Sequence, residues 1–362
     1  MEYRKLPKGN EQISVIGMGT SVIGETGEEQ VIETVQKALE AGINIFDLAT
    51  DYPVTFSAFG KALKGKREDV YLQIHFGADY SSGEYGWSID MNNVRRNFEM
   101  EMEALQTDYI DFAMIHCMDE MKDFEEYKKN GILDFIFDLK EKGVVRHIGL
   151  ATHTIDTAHA ILDLGFIDIM MFSLNPAYDY RAGEGYDSSE RQKLYERCEK
   201  EGVAISVMKA FCGGQLLDEE QSPFDKSLTV SQCIQYALDK PAVITVLPGC
   251  NSAEDVKEVI SYLDADEKER DYSIIETMVP DEKKLNCVYC MHCHPCPAGL
   301  DIALINKYYD LALVGDTLAR EHYLTLDKKA GDCIHCGHCD DRCPFNVKQD
   351  GHMREIFEHF GS

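Results

Sequence analysis

Eight short apolar runs, each followed by an amphipathic stretch, fill the sequence between Ile13 and Gly249. This alternation leaves few folds open, because a parallel strand needs a long crossover, usually helical, before the next strand can pair with it. The runs read as strands are Ile13–Thr20, Asn44–Tyr52, Val70–Gly77, Tyr109–Cys117, Arg146–His153, Asp168–Asn175, Val203–Ala210 and Val243–Gly249. The third helix shows the pattern between them: Val94, Phe98, Met102 and Leu105 recur on one face, with charged residues between. Eight strand–helix pairs in about 260 residues match a (β/α)8 TIM barrel. An open doubly wound sheet needs fewer pairs and a glycine fingerprint after its first strand, which Gly17 and Gly19 do not make. The expected fold class is α/β: a TIM barrel over 1–265, a charged linker over 266–284 and a small α-helical module over 285–362.

That module is defined by cysteine. Of thirteen cysteines, eight fall in two tight runs after position 286. Cys287, Cys290, Cys293 and Cys296 follow at two-residue spacing with Pro297 after them, and Cys333, Cys336, Cys339 and Cys343 precede Pro344. The second run is the C-x2-C-x2-C-x3-C-P pattern of bacterial ferredoxins, which hold two 4Fe-4S clusters. Three thiolates so spaced wrap three corners of a cubane, and the fourth cysteine reaches the other cluster. Crossed ligation assigns Cys287, Cys290, Cys293 and Cys343 to one cluster and Cys333, Cys336, Cys339 and Cys296 to the other. The first run is one residue shorter than the second, which bears on the reach of Cys296. Structural zinc is the alternative, although zinc sites normally use separated C-x2-C pairs. His292, His294, His335 and His338 read as flanking residues.

Lysine and arginine number 36 against 64 acids, a formal charge of −28 that opposes nucleic acid and anionic lipid as partners. The sequence shows no leader-like N-terminus and no bilayer-length apolar run, so a cytoplasmic protein without a membrane partner is expected. Clustered rather than dispersed cysteines fit a reducing compartment.

TIM-barrel chemistry sits at the C-terminal ends of strands. There the sequence places Asp47 and Tyr52 around strand two, and His116 at the end of strand four. The loop after strand three carries Tyr80, Tyr85 and Trp87, and that after strand six carries Tyr178, Tyr180 and Tyr186. These aromatic loops read equally as self-packed loops or as a substrate lid. Cys117, Cys212, Cys250, Met170 and Met171 read as packing.

Four segments in order, FDLATDY (Phe46–Tyr52), DYIDFAMIH (Asp108–His116), HIGLATH (His147–His153) and LPG (Leu247–Gly249), make the chain resemble the aldo/keto reductase family, and within it members with a C-terminal iron–sulfur module. The resemblance implies that Tyr52 donates a proton, that Asp47 tunes it and that His116 orients a carbonyl. The family's lysine at the end of strand three is replaced by His75, which supplies a positive charge only when protonated. The resemblance also places Ala151, Thr152, Met171, Lys209, Gly249 and Asn251 along a nicotinamide nucleotide. Ala151, Thr152 and Met171 stand where the family has serine, asparagine and glutamine, and Asn251 stands in place of a common arginine. These changes argue against a firm grip on NAD(H) or NADP(H), and against recognition of a 2′-phosphate in particular.

The leading expectation is an oxidoreductase that reduces a small carbonyl-type substrate at the barrel mouth, with electrons relayed through two 4Fe-4S clusters from an external carrier such as ferredoxin. Two alternatives stand beside it: an NAD(P)H-dependent carbonyl reductase whose clusters are structural or regulatory, and a non-catalytic electron-transfer protein.

Overall fold

The computed structural model describes residues 1–179, 188–224, 226–277, 287, 293–313, 319–343 and 347–361. The chain divides into two compact units, Met1–Pro280 and Asp281–Ser362.

The first unit opens with an antiparallel hairpin of β1 (Tyr3–Lys5) and β2 (Gln12–Ser14). Leu6 and Ile13 bring it into the main apolar cluster, and Arg4 donates to the carbonyls of Leu238 and Val243 at 2.8 and 2.7 Å. Then come β3 (Met18–Gly19), β4 (Ile45–Asp47), β5 (Tyr71–Phe76), β6 (Ala78–Asp79), β7 (Gly86–Trp87), β8 (Ile110–Ile115), β9 (Val145–Thr152), β10 (Ile169–Ser173), β11 (Ala204–Met208) and β12 (Val243–Val246). Eight of these form one parallel sheet in the order β3-β4-β5-β8-β9-β10-β11-β12. Parallel bridges Ile16↔Val246 and Gly19↔Gly249 bring its two ends together. This is a TIM-barrel-like fold. The apolar run Ile13–Thr20 does not form one strand: its first residues pair with β1, and only Met18 and Gly19 reach β4. A continuous apolar run carries no mark of the point where the chain leaves one sheet for another.

Helices α1 (Glu28–Glu40), α2 (Val54–Ala62), α3 (Met91–Leu105), α4 (Met121–Lys129), α5 (Ile132–Glu141), α6 (Ile155–Leu162), α7 (Pro176–Asp179), α8 (Ser188–Glu201), α9 (Val230–Leu238) and α10 (Ala253–Ile260) make the crossovers. In α3 Val94, Phe98 and Leu105 are buried, and Asp90 caps the first turn by accepting from the amides of Asn92 and Asn93. The segment expected as linker begins with ordered structure. A short helix, α11 (Glu267–Arg270), has its own capping box, and the amide of Gln232 on α9 donates to the Asp271 carbonyl at 2.7 Å. Residues 278–286 lie outside the described residues.

The second unit contains α12 (Ile302–Leu313), α13 (Ala319–Thr325), α14 (His338–Arg342) and α15 (Gln349–Phe360). Its core gathers Leu300, Ile302, Ile305, Tyr323, Met353, Ile356 and Phe360, with the Tyr323 and Phe360 rings stacked 4.1 Å apart.

Candidate active site

Adjacent strands β4, β5 and β8 deliver one acidic and two imidazole side chains to the same end of the barrel, because β4 pairs with β5 and β5 with β8 in parallel register. Asp47 closes β4, His75 is near the end of β5 and His116 follows β8; all three are buried. His75 Nε2 lies 2.7 Å from Asp47 Oδ1, and His75 Nδ1 lies 2.7 Å from His116 Nδ1. The chain continues: His116 Nε2 lies 2.6 Å from the hydroxyl of Tyr85, which is half-buried. A continuous path of hydrogen bonds thus runs Asp47–His75–His116–Tyr85.

The Tyr85 segment is placed by local sequence. After β5 the chain turns at Gly77, whose φ of 133° suits glycine. A Cβ at Gly77 would stand 3.1 Å from the Cβ of His116. Beyond it, β6 and β7 pair as a short hairpin. Asn97 of α3 fastens that hairpin, donating to Asp79 at 2.8 Å and accepting from the Tyr80 amide at 3.2 Å. The Tyr85 amide donates to the Asp51 carbonyl at 2.8 Å, and the Trp87 indole donates to the His116 carbonyl at 3.4 Å. Tyr85 and Trp87 of this loop therefore contact His116.

Burial pushes the His116 imidazole well below its ordinary pKa, and His75 and His153 beside it act in the same direction. His116 is accordingly neutral at physiological pH. His153 is lowered too, chiefly by burial, against the pull of Asp119, which accepts its Nδ1 at 3.0 Å.

Tyr52 stands apart. Among the described residues no hydrogen bond joins its hydroxyl to Asp47, His75 or His116, whose bonds go to one another and to Tyr85. Its pKa is raised by burial and then by the negative charges of Glu84, Glu25 and Asp51. The structure thus brings together three of the four residues expected to be catalytic and adds Tyr85. No spacing rule links Tyr85 to strand four, so only its place in an aromatic loop on the catalytic face pointed to it.

Ala151, Thr152 and Met171 are buried, and the Thr152 hydroxyl donates to Asp119 at 3.1 Å. Lys209 follows β11 and lies close enough to His153 to lower its pKa. Gly249 and Asn251 are exposed beside the start of α10, where the Asp255 carboxylate accepts from the amides of Asn251 and Ser252 at 2.7 and 3.0 Å.

In the second unit Cys296, Cys333, Cys336 and Cys339 line one small void with Ile334, Gly337 and Met353. Cys287 and Cys293 are buried and Cys343 is partly buried, whereas Cys290 and His292 lie outside the described residues, as do Tyr180 and Tyr186. His335 Nδ1 lies 2.7 Å from Asp350 Oδ1, and its amide donates to the Cys333 sulfur at 3.4 Å.

The aldo/keto reductase family profile matches residues 15–231. The chain is an oxidoreductase of the aldo/keto reductase family. An uncharacterized oxidoreductase of Bacillus subtilis, YqkF, is 25% identical over 73% of this chain and 92% of its own length. L-galactose dehydrogenase of Arabidopsis thaliana is 27% identical over 72% of this chain and 88% of its own. Among solved structures, the holo form of the Bacillus halodurans aldo-keto reductase AKR11C1 superimposes with a TM-score of 0.62 at 23% identity, covering 78% of this chain and 97% of its own. The Klebsiella pneumoniae aldo/keto reductase in complex with NADP and acetate gives 0.57 at 18% identity, covering 77% and 96%. These likenesses cover the barrel unit's share of the chain. Among the described residues no helix is long and apolar enough to cross a membrane.

Proposed function

We propose that this protein interconverts a small carbonyl compound and its alcohol at the barrel mouth, and that its C-terminal unit carries two 4Fe-4S clusters. The carrying observation is the buried Asp47–His75–His116 path, which holds and moves protons where the family's reacting oxygen is expected.

A nicotinamide is the hydride donor this family membership suggests, and the Klebsiella pneumoniae aldo/keto reductase structures in complex with NADP and NADPH support it. The residues fit NADH better than NADPH. The carboxylate of Asp255 at the start of α10 suits ribose hydroxyls and repels a 2′-phosphate. Where Cβ would stand at Gly249 there is open space. At the other end Met171 and Ala151 offer apolar contact alone, and the Thr152 hydroxyl is taken by Asp119, so the carboxamide is held without those side chains. When bound, the dihydronicotinamide supplies hydride to carbon; the chain orients the substrate and supplies the proton.

The four thiols lining one small void are the donor set a cubane takes, and they are the crossed set expected from the spacing. That observation favours a second reading, in which one-electron transfer through the clusters feeds the barrel directly.

Anaerobically purified protein should be assayed against a panel of aldehydes, ketones and their alcohols with NADH, NADPH and reduced ferredoxin in turn. Turnover with NADH supports the first reading, and turnover with ferredoxin alone supports the second. No turnover with any donor, from protein of full iron content, overturns both.

A further inference from the structure

We propose that Asp51 is a positioning residue for the reaction: it clasps three loops of the catalytic face around Tyr52 and so fixes where the Tyr52 phenol stands. This rests on the carbonyl–alcohol reading, with Tyr52 as the proton donor that the family resemblance implies. Among the described residues no bond from Asp47, His75 or His116 holds the Tyr52 hydroxyl, so the place of the phenol is set by the backbone beneath it. That backbone lies between the end of β4 at Asp47 and the start of α2 at Val54, outside both sheet and helix. Its amide donates to Asp51 Oδ1 at 3.0 Å, and its carbonyl accepts from the Thr55 amide of α2 at 3.2 Å.

The same carboxylate reaches two further loops. Oδ1 also accepts from the Gly24 amide at 3.0 Å and lies 3.0 Å from the Thr50 hydroxyl, while Oδ2 accepts from the Glu25 amide at 3.2 Å. The Asp51 carbonyl accepts from the Tyr85 amide at 2.8 Å. Segments following β3, β4 and β6 are thereby joined at one residue. A carboxylate suits this hub, because its two oxygens only accept and together offer about four lone-pair sites. Bonds from N–H to an ionised acceptor are also stronger than bonds to a neutral one. Gly24 completes the fit: a Cβ there would stand 2.5 Å from Asp51 Oδ1 and 3.1 Å from the Tyr52 Cβ, so any larger residue must push the clasp open.

Glu25 and Glu84 arrive on the joined segments. Burial raises the Tyr52 pKa, and the charges of Glu84, Glu25 and Asp51 raise it further, so the phenol stays protonated as an acid for carbonyl reduction. Asp51 therefore acts through Tyr52, by place first and by charge second. A catalytic group misplaced by about 1 Å can cost roughly a hundredfold in rate, which sets the scale of what the clasp contributes.

The test is a double-mutant cycle, run with whichever electron donor supports turnover. Asp51→Ala should lower kcat for carbonyl reduction by roughly ten- to a hundredfold and change KM less. In the Tyr52→Phe background the same substitution should cost about threefold or less, because no phenol is left to misplace. Asp51→Asn, which keeps one acceptor oxygen, should recover most of the lost rate. Gly24→Ala, which presses on the clasp without removing it, should reproduce the loss, and it carries the cycle if Asp51→Ala does not fold. A readout apart from turnover is the 13C resonance of the Tyr52 ring, assigned by its disappearance in Tyr52→Phe: it should move in Asp51→Ala and in Gly24→Ala. Equal losses in the two backgrounds, or an unmoved Tyr52 resonance, overturn the assignment and leave the carbonyl–alcohol reading intact. Wild-type protein inactive toward every carbonyl and alcohol overturns that reading instead, and the ring resonance then decides whether Asp51 holds Tyr52 in place.

Discussion

Two histidines inside the barrel, His116 at the mouth and His147 at the opposite end, are driven in opposite directions by their neighbours. Burial alone would lower His147, but hydrogen bonds to Asp168 and Glu11, at 3.4 and 3.1 Å, outweigh it and raise its pKa. Asp168 correspondingly falls to about 2, against its own burial, under the hydrogen bonds of His147 and Lys140. A histidine whose folded pKa is raised contributes stability that is complete below its unfolded value and is lost as pH rises through the folded one. His147→Gln should therefore destabilise the protein more at pH 6 than at pH 9. The difference should be about 1 kcal/mol once screening of a partly exposed pair is allowed for, read from urea midpoints at the two pH values. An equal loss at both would mean that His147 acts only by stacking on Phe112, 5.4 Å away. The sequence carried Asp47 and His116 because strand ends are fixed by the repeat, and His75 only through the family resemblance, as the residue in place of its lysine. It carried Tyr85 only as a member of an aromatic loop, since its contact with His116 depends on a turn at Gly77 that periodicity does not encode.

At the scale of elements, all eight strand positions were visible in the alternation, but their lengths were not. Asn44–Tyr52 shrinks to the three residues of β4, because beyond Asp47 the chain must leave the sheet to carry Thr50 and Asp51 to loop contacts. The same loop-scale detail decides nucleotide choice. The first turn of α10 is capped by Ser252 and Asp255 in a capping box, so a negative charge occupies the helix start at which this family is expected to meet the adenosine phosphate. Binding of NADPH should accordingly be no tighter than that of NADH. Asp255→Asn, which removes the charge and keeps an acceptor for the cap, should improve NADPH relative to NADH by roughly three- to tenfold, the scale of one surface charge. Titrations of both nucleotides against both proteins check this, and a wild-type preference for NADPH above tenfold would contradict it.

For the whole molecule, the decisive question is what the second unit holds. If the eight cysteines hold the two cubanes proposed, anaerobically prepared protein should contain close to eight iron and eight labile sulfide per chain, four of each for every cubane, whereas structural zinc would bring no sulfide. The folded unit sharpens this into a claim about one residue. Cys296 belongs by sequence to the first run, yet its side chain lines the void shared with Cys333, Cys336 and Cys339. The one-residue shortening of its run therefore does not keep Cys296 from that void. Cys296→Ala should then remove a ligand from the cluster of the second run and leave Cys287, Cys293 and Cys343, with Cys290, to hold the other. Anaerobic preparations of this variant should lose up to half of the iron and sulfide, and the electron paramagnetic resonance of the reduced protein should keep one signal and lose or alter the other. The companion variant Cys343→Ala should spare the signal that Cys296→Ala destroys. If each substitution damages the cluster of its own run instead, ligation is not crossed, and the void around Cys296 has another use.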